Sequence, residues 1–288
     1  MTRRAWVLFV GMCVFWGIPY LLIRVADASL PPVVLVFGRC AVGGLVLIPP
    51  AVRGGAFRDL RPRLGWVILL GFFEVVFPFL LIAFGEQRIP SSLSGLLVAS
   101  LPIMVFLLGL RLDPAERASG IRVLGLLIGL AGVALLLGFD VGGSESELLG
   151  AGMVALATLC YAIGVLLIRF KLAGVSQLGV SAGTMICACV VLAVPAAILA
   201  PHQVPPLPAL AAVLVLGVVC TALAFVAYFN LVQIAGPSRA VLITYVNPAV
   251  AVLLGIVVLG ERANLVTAAG FCLIVLGSWF ATRGAAAA

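Results

Sequence analysis

The sequence predicts an all-α integral membrane protein with ten transmembrane helices arranged as two inverted five-helix repeats. Three observations carry that expectation. The chain is 64% hydrophobic and only 9% charged, with a mean hydropathy of +1.33, too few polar groups to cover a soluble globule of 288 residues. Its apolar runs divide into ten segments of about 20 residues, the length of helix that crosses a bilayer. Glycines, prolines and charges also recur from one half to the other at a nearly constant offset.

Apolar runs bounded by Gly, Pro and charge place the first five helices at 5–24, 32–51, 64–85, 91–110 and 119–138. The second five fall at 149–169, 176–199, 208–231, 238–259 and 264–282. The N-terminal run MTRRAWVLFVGMCVFWG imitates a signal peptide, but residues 150 to 170 restate the same helix in mid-chain.

Basic residues then set the orientation. With the N-terminus cytoplasmic, Arg3, Arg4, Arg53, Arg58, Arg61, Arg63, Arg111, Arg117, Arg122, Arg169, Lys171, Arg239 and Arg283 lie inside, and only Arg24, Arg88 and Arg262 outside. The loop with Asp140, Glu145 and Glu147 is outside and wholly acidic, and both termini are expected in the cytoplasm. The net charge of +7 is a topology signal and not a nucleic-acid surface, because its cations are scattered between apolar runs.

At an offset of 145 or 146, Ile23-Arg24 matches Ile168-Arg169, Pro50 matches Pro195 and Gly71 matches Gly217. Ser92 likewise matches Ser238, Pro102 matches Pro248, Glu116-Arg117 matches Glu261-Arg262 and Gly132 matches Gly277. Five spans per half is an odd number, so the second copy enters the bilayer upside down. The expected units are residues 1–140 and 148–284, with 285–288 as a short tail. Inverted repeats of this kind build secondary transporters, whose solute site lies near the midplane between the copies.

The motifs Phe15-Trp16-Gly17, Phe37-Gly38-Arg39, Leu101-Pro102, Asn247-Pro248 and Gly260-Glu261-Arg262, followed by GFCLIVLG at 270–277, resemble the EamA-type carriers of the drug/metabolite transporter superfamily. The likeness spans essentially the whole chain. It implies export or exchange of small metabolites such as amino acids, through a cavity lined by helices 1, 3, 4, 6, 8 and 9. The first copy departs from it, with Asp113-Pro114-Ala115-Glu116-Arg117 in place of a compact Gly-Glu-Arg.

Glu74 stands near the centre of the third span. An ionisable group at that depth faces the bundle interior or water, so it is either a proton-coupling or substrate-binding carboxylate, or a structural one paired with Arg39. Arg39 itself reads as snorkelling outward in preference to binding a substrate carboxylate. Trp16 and Tyr20 share a face of the first helix, with Tyr161 the counterpart of Trp16, and Tyr228 lies on a face of the eighth with Thr221 and Phe225. These aromatics suit a cavity, against packing as the plainer role. In the ninth span Thr244, Tyr245 and Asn247 adjoin Pro248, which removes a backbone donor and opens the helix around the carbonyl at i−4. Pro102 and Pro248 are therefore expected as kinks, and Asn247 as a substrate contact.

Seven cysteines, all in apolar runs, read as small hydrophobes, and the one histidine, His202, lies in a Pro-rich loop. No phosphate-binding loop, metal-ligand spacing or nucleophile motif occurs, so no enzyme, cofactor or metal is expected. The expected partners are a small-molecule substrate, the lipid bilayer, and a proton or counter-substrate as the coupled species. The expected function is secondary active transport of small metabolites across the inner or plasma membrane. The alternatives are export of lipophilic drugs, or a receptor or assembly protein on the same fold.

Overall fold

The computed structural model describes residues 2–112, 120–139, 144–236, 240, 242–262 and 265–282. Glu116, Arg117, Asp140, Ser238, Arg239 and Arg283, used above for the repeat and the charge count, lie outside the described residues. Every described element is helical. Seven helices are long and apolar enough to cross a membrane: α1 (Arg3–Asp27), α2 (Pro32–Arg53), α3 (Arg61–Glu86), α4 (Ser91–Arg111), α6 (Glu145–Lys171), α7 (Gln177–Ile198) and α8 (Leu207–Ala235). Shorter apolar helices are α5 (Gly120–Phe139), α9 (Ile243–Leu259) and α10 (Leu265–Thr282). In hydrocarbon a backbone must satisfy its own polar groups, which is why an apolar chain takes this form. Large apolar side chains such as Leu45, Val190, Val194 and Val257 are exposed, as a lipid-facing surface requires.

Four helices are irregular, and each irregularity has a local cause. The first segment of α1 ends at Gly17, and the next starts at Pro19, whose missing N–H is tolerated at a helix start. In α4 a turn at Ala99-Ser100 precedes Pro102, and the Ser100 hydroxyl donates to the Leu97 carbonyl at 2.7 Å, occupying an acceptor that the break frees. Residues Gly71–Val76 of α3 and Val218–Leu223 of α8 are π-helical, each an expanded turn of the kind that re-aims side chains. The two expansions fall 147 residues apart, one residue from the sequence offset. Pro248 behaves differently from Pro102, because α9 runs on through it without interruption.

Contacts between helix ends fix the arrangement. At one end, α3 begins beside the close of α6, where the Arg63 guanidinium donates to the carbonyls of Lys171 and Ala173 at 3.0 and 2.9 Å. At the other, the close of α1 meets the close of α3, with Gln87 donating to Asp27 at 2.9 Å. The start of α6 lies there too, since Gly150 and Gly85 approach backbone to backbone. Thus α6 starts at the end where α1 finishes. The principal apolar core lies among α1, α2, α3, α7 and α8, with Leu35, Leu47, Met185 and Leu216 fully buried in it.

Glycine sets the closest crossing, between α5 and α10. A methyl group on Gly277 would collide with the backbone of Gly129 and come 2.6 Å from the Gly125 carbonyl oxygen, and neither can step aside as a flexible side chain would. Gly152 in α6 faces open space by the same measure. We expect Gly277→Ala to lower the thermal unfolding temperature of the detergent-purified protein, and Gly152→Ala to leave it unchanged or raise it. Equal effects of the two substitutions would show that this crossing does not govern stability.

Candidate functional site

Glu74 sits in the expanded turn of α3, with the side chain turned toward α6. Its Oε2 is buried without a hydrogen-bond partner and rests against Gly164, where any methyl group would overlap it. Burial alone perturbs this carboxyl, and no described cation reaches it. Tyr161, one turn before Gly164 in α6, and Tyr228 of α8 both lie within electrostatic range of Glu74. The Trp16 ring of α1 packs on Tyr228 with centroids 5.2 Å apart and meets Phe225 edge-on at 6.5 Å. Four helices from the two halves of the chain thus bring Trp16, Glu74, Tyr161 and Tyr228 into one group.

Arg39 does not take either role considered for it as Glu74's partner or as a snorkelling cation. Only 7% exposed, it turns inward, donates through Nε to Thr221 Oγ1 at 3.0 Å and lays its guanidinium 3.8 Å from the Phe79 ring centre. Thr221 passes its own proton to the Leu216 carbonyl at 2.8 Å, five residues back, so the π-turn of α8 supplies both bonds. The Arg39 charge is therefore spread over a hydroxyl and an aromatic face, an arrangement that retains a buried guanidinium at modest cost. Tyr20, also buried, lies between this group and the far end, within range of both Arg39 and Glu86.

The residues of α9 are divided. Asn247 reaches the group's margin: its backbone oxygen faces Gly17, next to Trp16, and its side-chain Oδ1 is buried without a partner. Tyr245 points elsewhere, donating its hydroxyl to the Ser278 carbonyl of α10 at 3.2 Å. Thr244 is half-buried at the opening of α9.

A second polar cluster lies at the far end, and the sequence reading missed its role. Glu261, expected only to mark where the ninth span ends, accepts from the Ser91 N–H and hydroxyl, both at 2.8 Å, and from the Ser92 N–H at 3.0 Å. It caps the start of α4 from 170 residues away, doing the work usually given to an N-cap side chain. Gly260, in the left-handed region at φ 66°, turns the chain so that the carboxylate can reach. Gly255 leaves room for that carboxylate against α9. Burial would raise the Glu261 pKa, but the donors on Ser92 and Ser91 outweigh it and hold the carboxyl below its ordinary value. Glu86, read from sequence as the first loop residue, is fully buried here. The signal available was the polar run Glu86-Gln87-Arg88 beside the serine-rich Ser91-Ser92-Leu93-Ser94.

Comparison with known proteins adds a family and a fold. The model of the EamA-like transporter family matches residues 3–138 and again 148–283. The uncharacterized inner membrane transporter YedA of Escherichia coli K12 is 29% identical over 95% of this chain and 89% of its own length. An uncharacterized transporter of Archaeoglobus fulgidus is 22% identical over 97% of this chain and 99% of its own. A probable amino-acid metabolite efflux pump of Escherichia coli K12 is 26% identical over 57% of this chain and 53% of its own. A solved crystal structure shares the fold with a TM-score of 0.69, covering 98% of each chain at 24% identity.

The cap makes a pH-dependent prediction. Because the folded Glu261 pKa lies below the unfolded one, its stabilisation is complete above the unfolded carboxylate value and is lost as pH falls through the folded value. We expect Glu261→Ala to cost about 1.5–3 kcal/mol at neutral pH, the range for hydrogen bonds to a charged group. Thermal unfolding followed against pH should show the gap from the parent protein closing on acidification, whereas a gap constant with pH would exclude the carboxylate's charge as its source.

Proposed function

This chain belongs to the EamA-like transporter family, and on that premise we propose that it is a secondary transporter of small metabolites working by alternating access. The observation that carries this reading is Glu74: an ionisable carboxylate within a bilayer-spanning helix, left without a cation, facing aromatic side chains contributed by both halves. Such a group is costly in a purely structural role and useful in one that binds a proton or a substrate amine. The aromatic faces of Trp16, Tyr161 and Tyr228 would take the apolar part of a solute, with Glu74 and Asn247 as its polar contacts. Amino acids and related metabolites fit that pairing, and one relative is named a probable amino-acid metabolite efflux pump.

Ten spans in two inverted copies are part of the same proposal. The doubled family match, the paired π-turns and the entry of α6 from the end opposite α1 support it. The excess of basic residues on the N-terminal side supports a cytoplasmic location for both termini, with the Glu261 cap on the outer face. The inner membrane is the expected location, as for the named YedA relative.

Two measurements test the reading. Purified protein in sealed liposomes should carry out flux or counterflow of at least one member of a broad metabolite panel, and none with any member would refute transport. In the same vesicles Glu74→Gln should abolish dependence on a pH gradient while leaving exchange. Gly164→Ala should act in the same direction by displacing the carboxylate, with little loss of stability because only a side-chain end must move. Unchanged gradient dependence in Glu74→Gln would remove Glu74 from coupling.

A further inference from the structure

Glu86 closes α3 at the far end, and its environment is unlike that of any other described carboxylate. It is fully buried, and neither Oε1 nor Oε2 has a hydrogen-bond partner. Ser94, one turn into α4, is also fully buried with its hydroxyl unpartnered, and it lies within interaction range of the Glu86 carboxyl. Two buried polar groups side by side without hydrogen-bond partners are costly unless something joins them.

The surrounding charges limit what that can be. Arg24 of α1 is the adjacent cation, but its guanidinium donates to the backbone carbonyl of Glu86 and not to the carboxylate. Asp27 of α1 is held by Gln87, and Glu261 is held by Ser91 and Ser92, and both set negative charge against Glu86. Tyr20 is the remaining titratable group in range. A metal cation would need about six oxygen ligands. The pocket presents two carboxylate oxygens and one hydroxyl beside a guanidinium, too few ligands and the wrong neighbouring charge. A proton fits, because it turns one carboxylate oxygen into a donor for the Ser94 oxygen and removes the buried charge.

We propose that Glu86 and Ser94 form a proton-binding site at the far end of the bundle, separate from Glu74, in which Glu86 is kept as a neutral acid while Glu261 caps α4. When Glu261 leaves Ser91 and Ser92, water reaches the site and the Glu86 O–H bond breaks. The proton goes to water, and the carboxylate left behind pairs with the Arg24 guanidinium already next to it. The position 146 residues on is Val232, so the second half carries no copy of this site.

Infrared spectroscopy of the purified protein at neutral pH, with no solute added, tests the site independently of transport; a failed flux assay would leave it standing. The carbonyl stretch of a protonated carboxylic acid should be present, and Glu86→Gln should abolish one such band. Ser94→Ala, which keeps the carboxyl, should shift that band to higher frequency by removing its hydrogen-bond acceptor. Glu74→Gln should leave it in place. An acid-band spectrum unaltered by both Glu86→Gln and Ser94→Ala would overturn the proposal, and Ser94→Ala alone decides it should Glu86→Gln fail to fold.

Discussion

The absence of water from the bilayer interior is the constraint on which this structure depends. It forces the backbone into helices, because each N–H and C=O must find its partner within its own segment. It also sorts the side chains, since a polar group has only the bundle interior in which to be satisfied. Arg39 shows the sorting in its plainest form. Placed within a span, it turns away from lipid toward a hydroxyl and a ring. Glu261 shows the same rule at a helix end, where three donors of α4 are satisfied by a side chain from the other half.

The interior that receives these groups is shaped by close approach of backbones. Gly129 with Gly277, and Gly132 with Gly270, draw α5 and α10 together at the edge of the bundle. Gly164 works in the opposite sense, leaving a space on α6 that the Glu74 carboxylate enters. The π-turns add rotation: one extra residue in a turn changes the face on which Glu74 and Thr221 emerge, which helical periodicity alone does not anticipate.

That difference explains what could be read from the sequence. Span positions were legible because hydropathy over about 20 residues is a sum, insensitive to local detail. Glu74 was legible as an intramembrane charge, Trp16 and Tyr161 as a repeat-related aromatic pair, and Tyr228 as an aromatic on one face of the eighth span. The direction of Arg39 was not, since snorkelling and inward folding begin from the same sequence position and are separated only by what lies opposite, here Thr221 and Phe79. Tyr245 shares a helix with Asn247 but faces α10, a matter of helix rotation. The Glu261 cap joins residues 170 apart, and nothing local in Gly-Glu-Arg names its acceptor.

The two halves share a backbone plan and differ in chemistry, and that difference bears on function. Glu74 corresponds to Cys220, Arg39 to Thr184 and Glu86 to Val232, so none of these three groups has a charged counterpart in the second half. Some of their neighbours come from the second half, Gly164, Tyr161 and Tyr228 for Glu74, Thr221 for Arg39 and the Glu261 charge for Glu86, whereas Phe79 beside Arg39 and Arg24, Asp27 and Ser94 beside Glu86 come from the first. Each of the three thus meets at least one residue of the other half. On the proposed alternating-access reading, displacement of one half against the other would change the solvation of Glu74 and Glu86, and by linkage a change in their protonation would bias that displacement. On that reading, coupling between proton occupancy and conformation would follow from the contacts between the halves and would require no dedicated relay between the two sites.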